Sequence, residues 1–481
     1  YFEYTYPTQE ATHPWILGGG LIVGDFDEDG AMEVWVTTEF GLRAFEVSSG
    51  RLVEVAQPIA GTTGGCGGVT ADYDGDGDLD VYITRWEGWP GPEGGDEGKN
   101  QLLRNDGPQG FTDVTVSAGG LDGCDGDDCL RSSASSFGDY DRDGDLDLFV
   151  GSHGYLDKEL EGTEQGLGEP TFLYQNQGDG TFIDISDTLA PELHVGYTLS
   201  GGFFDMNDDG WVELYVVNDI GRQQPNIVMW NNEGVLTFDP YEPSGLTIAT
   251  SSMGVGIGDF NGDLRPEAVI PDWGSMIYVE SAAALNVWVN ATDIRGFVLE
   301  EPERVGWGTD VADLDNDGDL DIVSQSGFLE DFGNTNWISD HEQPDMVFQN
   351  VGTPLAPYFV EVAEEWGLDD ADTNRGVALV DMNRDGYIDV LRHNLRGRLH
   401  AYMSNCGTNA WMRVKLEQGG KNPDAIGARI IIEDEGERWV RWMSAGGSSL
   451  GVGLPPEVHF GLGQHEVVDR EVARALPHEA E

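Results

Sequence analysis

Residues 72–80 read DYDGDGDLD. Five carboxylates in nine residues leave only Tyr73 and Leu79 to bury, and the glycines at 75 and 77 mark a tight turn. The same pattern recurs at Asp25 (DFDEDGAME), Asp139 (DYDRDGDLD), Asp205 (DMNDDGWVE), Asp259 (DFNGDLRPE), Asp313 (DLDNDGDLD) and Asp381 (DMNRDGYID), at spacings of 47 to 68 residues. One acidic turn is weak evidence, because solvated turns carry the same residues. Seven in one register define an internal repeat.

Oxygen donors at positions 1, 3, 5 and 9, a Gly at position 6 and a backbone carbonyl at position 7 suit a hard cation that takes six to eight oxygens at about 2.3–2.6 Å. The side-chain donors are Asp25, Asp27, Asp29 and Glu33; Asp72, Asp74, Asp76 and Asp80; Asp139, Asp141, Asp143 and Asp147; Asp205, Asn207, Asp209 and Glu213; Asp259, Asn261, Asp263 and Glu267; Asp313, Asp315, Asp317 and Asp321; and Asp381, Asn383, Asp385 and Asp389. The carbonyls are those of Ala31, Asp78, Asp145, Trp211, Arg265, Asp319 and Tyr387. Calcium fits better than magnesium, which keeps most of its waters, or zinc, for which no His/Cys cluster stands at ligand spacing. Up to seven Ca²⁺ are expected. The fifth site is the weak one, since Leu264 replaces the Gly and Arg265-Pro266 follow.

A short Gly-rich apolar segment precedes each loop, as in Gly20-Leu-Ile-Val-Gly24, and an apolar strand follows, as in Val81-Tyr-Ile-Thr84. A third strand ending in Asn and a fourth opening with Phe complete the unit, as in Leu102–Asn105 with Phe111–Thr115. Seven such four-stranded units predict a seven-bladed β-propeller over residues 1–404, an all-β fold. The seventh unit lacks its Phe-led strand, and Phe2–Thr5 reads as the missing piece, so the N-terminus is expected to close the ring. Residues 405–481 continue with alternating and apolar segments, Trp411–Leu416, Ala428–Ile432 and Arg438–Met443, which predict a small C-terminal β sandwich or barrel.

The chain has 39% hydrophobic residues, 68 Gly and 21 Pro, in keeping with many short strands and tight turns. Its 25 Lys+Arg against 88 Asp+Glu give a net charge of −63, which argues against nucleic acid and anionic membranes as partners. Seven Ca²⁺ would remove only 14 of those charges, so a saline or calcium-rich habitat is a companion expectation. No apolar run is long enough to insert in a membrane. The start at Tyr1, with neither Met nor a signal-type segment, reads as a mature secreted or cell-surface chain. Among the four cysteines, Cys124 and Cys129 bracket a short acidic loop and form one expected disulfide; Cys66 and Cys406 form the other.

The loops and the Gly-rich strands before them resemble the FG-GAP/VCBS repeats of integrin α-subunit propellers and their bacterial relatives, in which such loops bind structural calcium. Asn409–Leu416, Asn422–Arg429, Gly446-Gly-Ser-Ser-Leu450 and His459–Gly463 resemble the ASPIC/UnbV domain that follows such repeats in the cartilage acidic protein family and secreted bacterial proteins. That family ends on a strand with Trp-Pro-Ser-Gly, where this chain reads Arg470-Glu-Val-Ala-Arg474. The resemblance implies architecture more than activity.

Two functional classes compete. The first is a non-catalytic adhesion, ligand-binding or structural module whose long connections, residues 85–99, 116–131, 152–170 and 326–345, lie on the face opposite the metal loops. Trp86, Trp89, Tyr155, Trp273 and Trp337 in or beside them could stack on a glycan or fill a protein interface, and self-association into a surface assembly is a further option. The second is a polysaccharide lyase or hydrolase on that face. His153, His194 and His341 lie there, but no nucleophile elbow, His-Glu-x-x-His or phosphate loop accompanies them.

Overall fold

In a computed structural model the described residues are 2–5, 19–38, 41–48, 51–56, 65–86, 98–126, 128–154, 168–189, 196–238, 244–282, 286–297, 304–328, 342–395, 398–404 and 407–474. The expected all-β class is what they show. Strands run in consecutive antiparallel sets of four, and among the described residues there are seven such sheets. The first is Gly20–Gly24, Glu33–Thr38, Gly41–Ser48 and Arg51–Val55; the sixth is Gly306–Ala312, Asp321–Ser326, Met346–Asn350 and Phe359–Glu361. In each sheet the nine-residue loop joins the first two strands, whose residues are almost all buried.

The seventh sheet takes its first three strands from Asn374–Val380, Asp389–Asn394 and Arg398–Tyr402, and its fourth from the start of the chain. Phe2 pairs with Ala401 and Thr5 with Arg398, as the missing Phe-led strand required.

Each sheet packs on the next through its own apolar cluster. Trp35 and Leu42 meet Val81 and Leu103 between the first and second sheets, and Phe149 and Leu173 meet Leu214 and Met229 between the third and fourth. Val323 and Val347 meet Val377 and Val390 between the sixth and seventh. The last cluster joins Leu391 and Leu399 to Val34 and Phe45, so the seventh sheet rests on the first. The succession is propeller-like.

Beyond residue 409 the chain forms a two-stranded ladder, Ala410–Val414 with Val458–Gly463, and a three-stranded sheet of Glu437–Trp442, Arg429–Asp434 and Arg470–Arg474. The atypical ending is therefore a strand, with Val472 opposite Ile431. This part has no separate core: Ile426, Ile430, Ile432, Phe460 and Leu462 share one cluster with Tyr73, Phe137 and Tyr174 of the second and third sheets.

Two features run against or beyond the sequence reading. Cys66 is a free, fully buried thiol rather than a partner of Cys406, because its side chain is enclosed by Leu199, Met253, Trp307 and Leu450 at the inner end of the second sheet. Cys406 lies outside the described residues, whereas Cys124–Cys129 is bridged as expected. Second, residues 445–453 leave the C-terminal sheets and thread among the innermost strands. Ala445–Gly446 pairs with Ser136 and Phe137, and Val452–Gly453 runs parallel to Leu21 and Ile22. The Gly-rich inner strands reflect this close approach: a Cβ on Gly20 would collide with the carbonyl oxygen of Gly451.

Candidate metal centres

Three hydrogen bonds recur in the loops, two of them in all seven. The position-5 carboxylate accepts from the backbone N–H of position 7, at 2.8–3.1 Å, in Asp29, Asp76, Asp143, Asp209, Asp263, Asp317 and Asp385. The position-1 carboxylate accepts from the N–H of position 6, as Asp72 does from Gly77 at 2.8 Å and Asp313 from Gly318 at 2.8 Å. The position-9 carboxylate accepts from the N–H of position 2, as Glu33 does from Phe26 at 2.7 Å and Asp321 from Leu314 at 3.1 Å. The chain thus wraps around its own acids.

That wrap requires left-handed backbone twice. Position 4 has φ near 60° at Glu28, Arg142, Asp208, Asn316 and Arg384, and position 6 has φ of 88–109° where it is Gly, as in Gly77, Gly210 and Gly318. Leu264 at position 6 of the fifth loop adopts φ 71° and still donates to Asp259 at 2.9 Å, so this loop keeps the shape of the others at a conformational cost.

Carboxylate oxygens come within 4.8 Å of one another in four groups: Asp25, Asp27 and Asp29; Asp72, Asp74 and Asp80; Asp139, Asp141 and Asp147; and Asp313, Asp315 and Asp321. Burial, with neighbouring carboxylates adding to it, raises several acids of the loops above the ordinary carboxylate range. Glu33 and Asp313 are raised to about 8 and Asp139, Asp205 and Asp389 to about 7, with burial the largest cause in each. Asp80, Asp147, Glu213, Glu267 and Asp321 are held well above the usual carboxylate range by burial. Asp25 Oδ1, Asp74 Oδ1 and Glu213 Oε1 are buried without a hydrogen-bond donor. Oxygen-only clusters with uncompensated buried lone pairs fit a hard divalent cation, so these buried Asp groups could hold metal ions.

Reading the sequence for ligands missed two partners of these loops. The Asn ending the third strand marks the repeat in the sequence but is not a ligand. Its amide reaches back to the preceding loop: Asn105 to the Phe26 carbonyl at 2.9 Å, Asn176 to Tyr73 at 3.0 Å, Asn231 to Tyr140 at 2.7 Å and Asn350 to Phe260 at 3.1 Å. Its recurrence at the end of the third strand in the second, third, fourth and sixth sheets was the available signal. The second partner is the C-terminal part of the chain, which sits on the loops. Lys421 Nζ donates to the Asp74 carbonyl at 2.6 Å, Arg429 to Leu264 at 2.6 Å, and the Gly463 N–H to Asn316 at 2.8 Å. No local motif announces those contacts. Between this cap and the sheets lies a cavity of about 190 Å³ lined by Asp205, Asp310, Asp381, Arg441 and His459 among apolar side chains.

On the opposite face, Trp86 is partly buried and stacks on His153 with centroids 5.6 Å apart, while Trp273 is 36% exposed and meets Phe328 edge-on. Trp89, Tyr155, Trp337, His194 and His341 lie outside the described residues. Among the described residues no helix is long and apolar enough to cross a membrane.

Comparison with known proteins agrees with the repeat and cap. The family of FG-GAP-like repeats matches residues 25–83 and 205–270, and the ASPIC and UnbV family matches residues 418–472. Cartilage acidic protein 1 of Xenopus tropicalis is 28% identical over 168 residues, 33% of this chain and 25% of that protein. Cartilage acidic protein 1 of Mus musculus is 24% identical over 97% of this chain and 72% of its own length. An Agrocybe aegerita lectin that recognises non-reducing terminal N-acetylglucosamine superposes with a TM-score of only 0.42, at 18% identity over 72% of this chain and 79% of its own. The chain therefore carries FG-GAP-like repeats followed by an ASPIC and UnbV domain and is similar in sequence to cartilage acidic protein 1.

Proposed function

We propose that this chain is a secreted or cell-surface calcium-binding module that acts without catalysis, in adhesion, ligand binding or extracellular structure. In this reading the seven sheets are the blades of a closed propeller over residues 1–404, and residues 405–481 are the ASPIC/UnbV domain. The single observation that carries it is the recurring wrap of the seven loops around their own carboxylates, four groups of which bring their oxygens within 4.8 Å, three of those four being mostly buried. Ca²⁺ supplies the positive charge that relieves the repulsion among them. The position 1, 3, 5 and 9 side chains of each loop, with the carbonyl of position 7, are its donors. Loops 2, 3 and 6, with Asp at all four of those positions, are the tightest sites, and the fifth is the weakest.

The similarity to proteins named for cartilage, over almost the whole chain, supports an extracellular setting. The proposed partners are an extracellular protein or glycan met by the connections opposite the loops, where Trp86 and Trp273 stand. Equilibrium dialysis against Ca²⁺, followed by glycan and matrix-protein arrays with and without chelator, tests both halves. Uptake of several Ca²⁺ per chain and chelator-sensitive capture support the reading. A chain that takes up no Ca²⁺ at millimolar concentration overturns it.

A further inference from the structure

Residues 445–453, AGGSSLGVG, touch the innermost strands of all seven sheets. Leu21 donates to Gly451 at 3.0 Å in the first, and Ser136 Oγ to Ala445 at 2.8 Å in the third. Ser200 Oγ reaches Ser448 at 2.8 Å in the fourth, and Val255 donates to Ser448 at 3.1 Å in the fifth. Val377 donates to Ser449 Oγ at 3.1 Å in the seventh. Gly68 of the second sheet and Gly308 of the sixth lie against Gly453 and Ser449, so closely that a Cβ on Gly453 or on Gly308 would overlap the facing segment. Nine residues therefore occupy the place where the seven sheets converge.

Little apolar surface holds this segment there. Only Ala445, Leu450 and Val452 join apolar clusters, the first with Val69 and Phe137, the second with Cys66, Leu199 and Trp307, and the third with Leu21 and Ala378. Both ends run into the C-terminal sheets, whose footing is the backbone of the acidic loops at Asp74, Leu264, Asp315 and Asn316. Those carbonyls are presented by loops whose shape forces like charges together. The footing and the segment are thus mechanically one piece.

We infer that residues 445–453 are an axial plug whose seating is controlled by cation occupancy of the loops under the C-terminal domain; this rests on the calcium reading above. With cations bound, the loops keep their wrap, the cap stays docked and the plug is seated. With cations removed, repulsion opens the loops, the polar footing of the cap loosens and the plug leaves the axis while the strands of the sheets stay paired. Unplugging exposes the Gly-rich inner strands and Cys66.

Cys66 is the built-in reporter, fully buried beside Leu450. In full-length protein carrying Cys406→Ser, thiol labelling is followed with Ca²⁺ and with chelator, alongside far-UV circular dichroism and dialysis for bound Ca²⁺. One coupled site held at 100 times its Kd shifts the opening equilibrium about 100-fold, so chelation should accelerate labelling by at least about that factor with the strand signal retained, and Ca²⁺ should restore protection. Leu450→Asp, which forces a charge into the apolar seat, should label fast even in Ca²⁺ with the strand signal intact. Unchanged labelling after dialysis has shown the loops to be emptied overturns the coupling alone, as does labelling that appears only with loss of the strand signal. No Ca²⁺ uptake at all overturns the coupling and the calcium reading together.

Discussion

A carboxylate buried beside other carboxylates is unfavourable unless something turns the chain around it, and in these loops the turning is done by single residues with left-handed backbone. Gly77 shows the cost in isolation. Its φ is 102°, and nothing lies within 4 Å of where a Cβ would stand. Gly77→Ala should therefore lower stability by about 1–2 kcal/mol through backbone strain alone, read as a shifted urea midpoint in Ca²⁺. An unchanged midpoint would show that the loop tolerates another conformation. Gly386 has φ 90° but a Cβ there would strike the Trp411 ring of the cap. Gly386→Ala should cost more than Gly77→Ala and should loosen the C-terminal part, visible as faster hydrogen exchange over residues 410–414 and 458–463. Equal effects of the two substitutions would contradict the docking of the cap on the seventh loop.

Between elements, the Asn at the end of the third strand is the link that makes separate loops one face. Asn350 is 3% exposed; its amide donates to Phe260 at 3.1 Å, and its oxygen accepts from Gly352 at 3.2 Å and Tyr358 at 3.3 Å. Asn350→Ala strands those buried groups, for about 1–3 kcal/mol, and should lower Ca²⁺ affinity at the neighbouring fifth loop although Asn350 is no ligand. Calorimetric titration against Asp263→Ala, which removes a donor directly, separates the two routes. Normal thermal stability in Asn350→Ala would remove the bridge from this account.

For the whole molecule, pH and calcium should act in opposite senses. Glu33 and Asp313 near 8 and Asp205 and Asp389 near 7 lie above their unfolded values of 4.5 and 3.8. The metal-free fold thus binds more protons than the unfolded chain, and this contribution to stability is lost as pH rises through the folded values. His393, pushed down to about 3 by burial, and His459, pushed down to about 4, act the other way, losing stability as pH falls below 6.5. Four raised carboxylates outweigh two depressed histidines, so thermal unfolding in chelator should find greatest stability at about pH 4–5 and a decline toward about pH 8.5. Saturating Ca²⁺ should abolish that decline, each independent site adding about 2.7 kcal/mol at 100 times its Kd. A chelated protein that gains stability between pH 6 and 8.5 would contradict the raised carboxylates.

The sequence by itself determined the repeat, the four-strand unit, the β class and the N-terminal strand that completes the seventh sheet, because each rests on local periodicity: a turn needs its glycine, a strand its alternation. It also located the seven acidic loops, since each stands within nine consecutive residues. What the tertiary structure decided was everything that depends on segments distant in the chain. The free Cys66, the Asn bridges between loops, the cap resting on the acidic face and the passage of residues 445–453 through the axis all join residues dozens to hundreds of positions apart. Gly446-Gly-Ser-Ser-Leu450 carries only a family resemblance in the sequence for that reason. Its glycines and serines serve the inner strands of other sheets, and no spacing along the chain records a contact made across the fold.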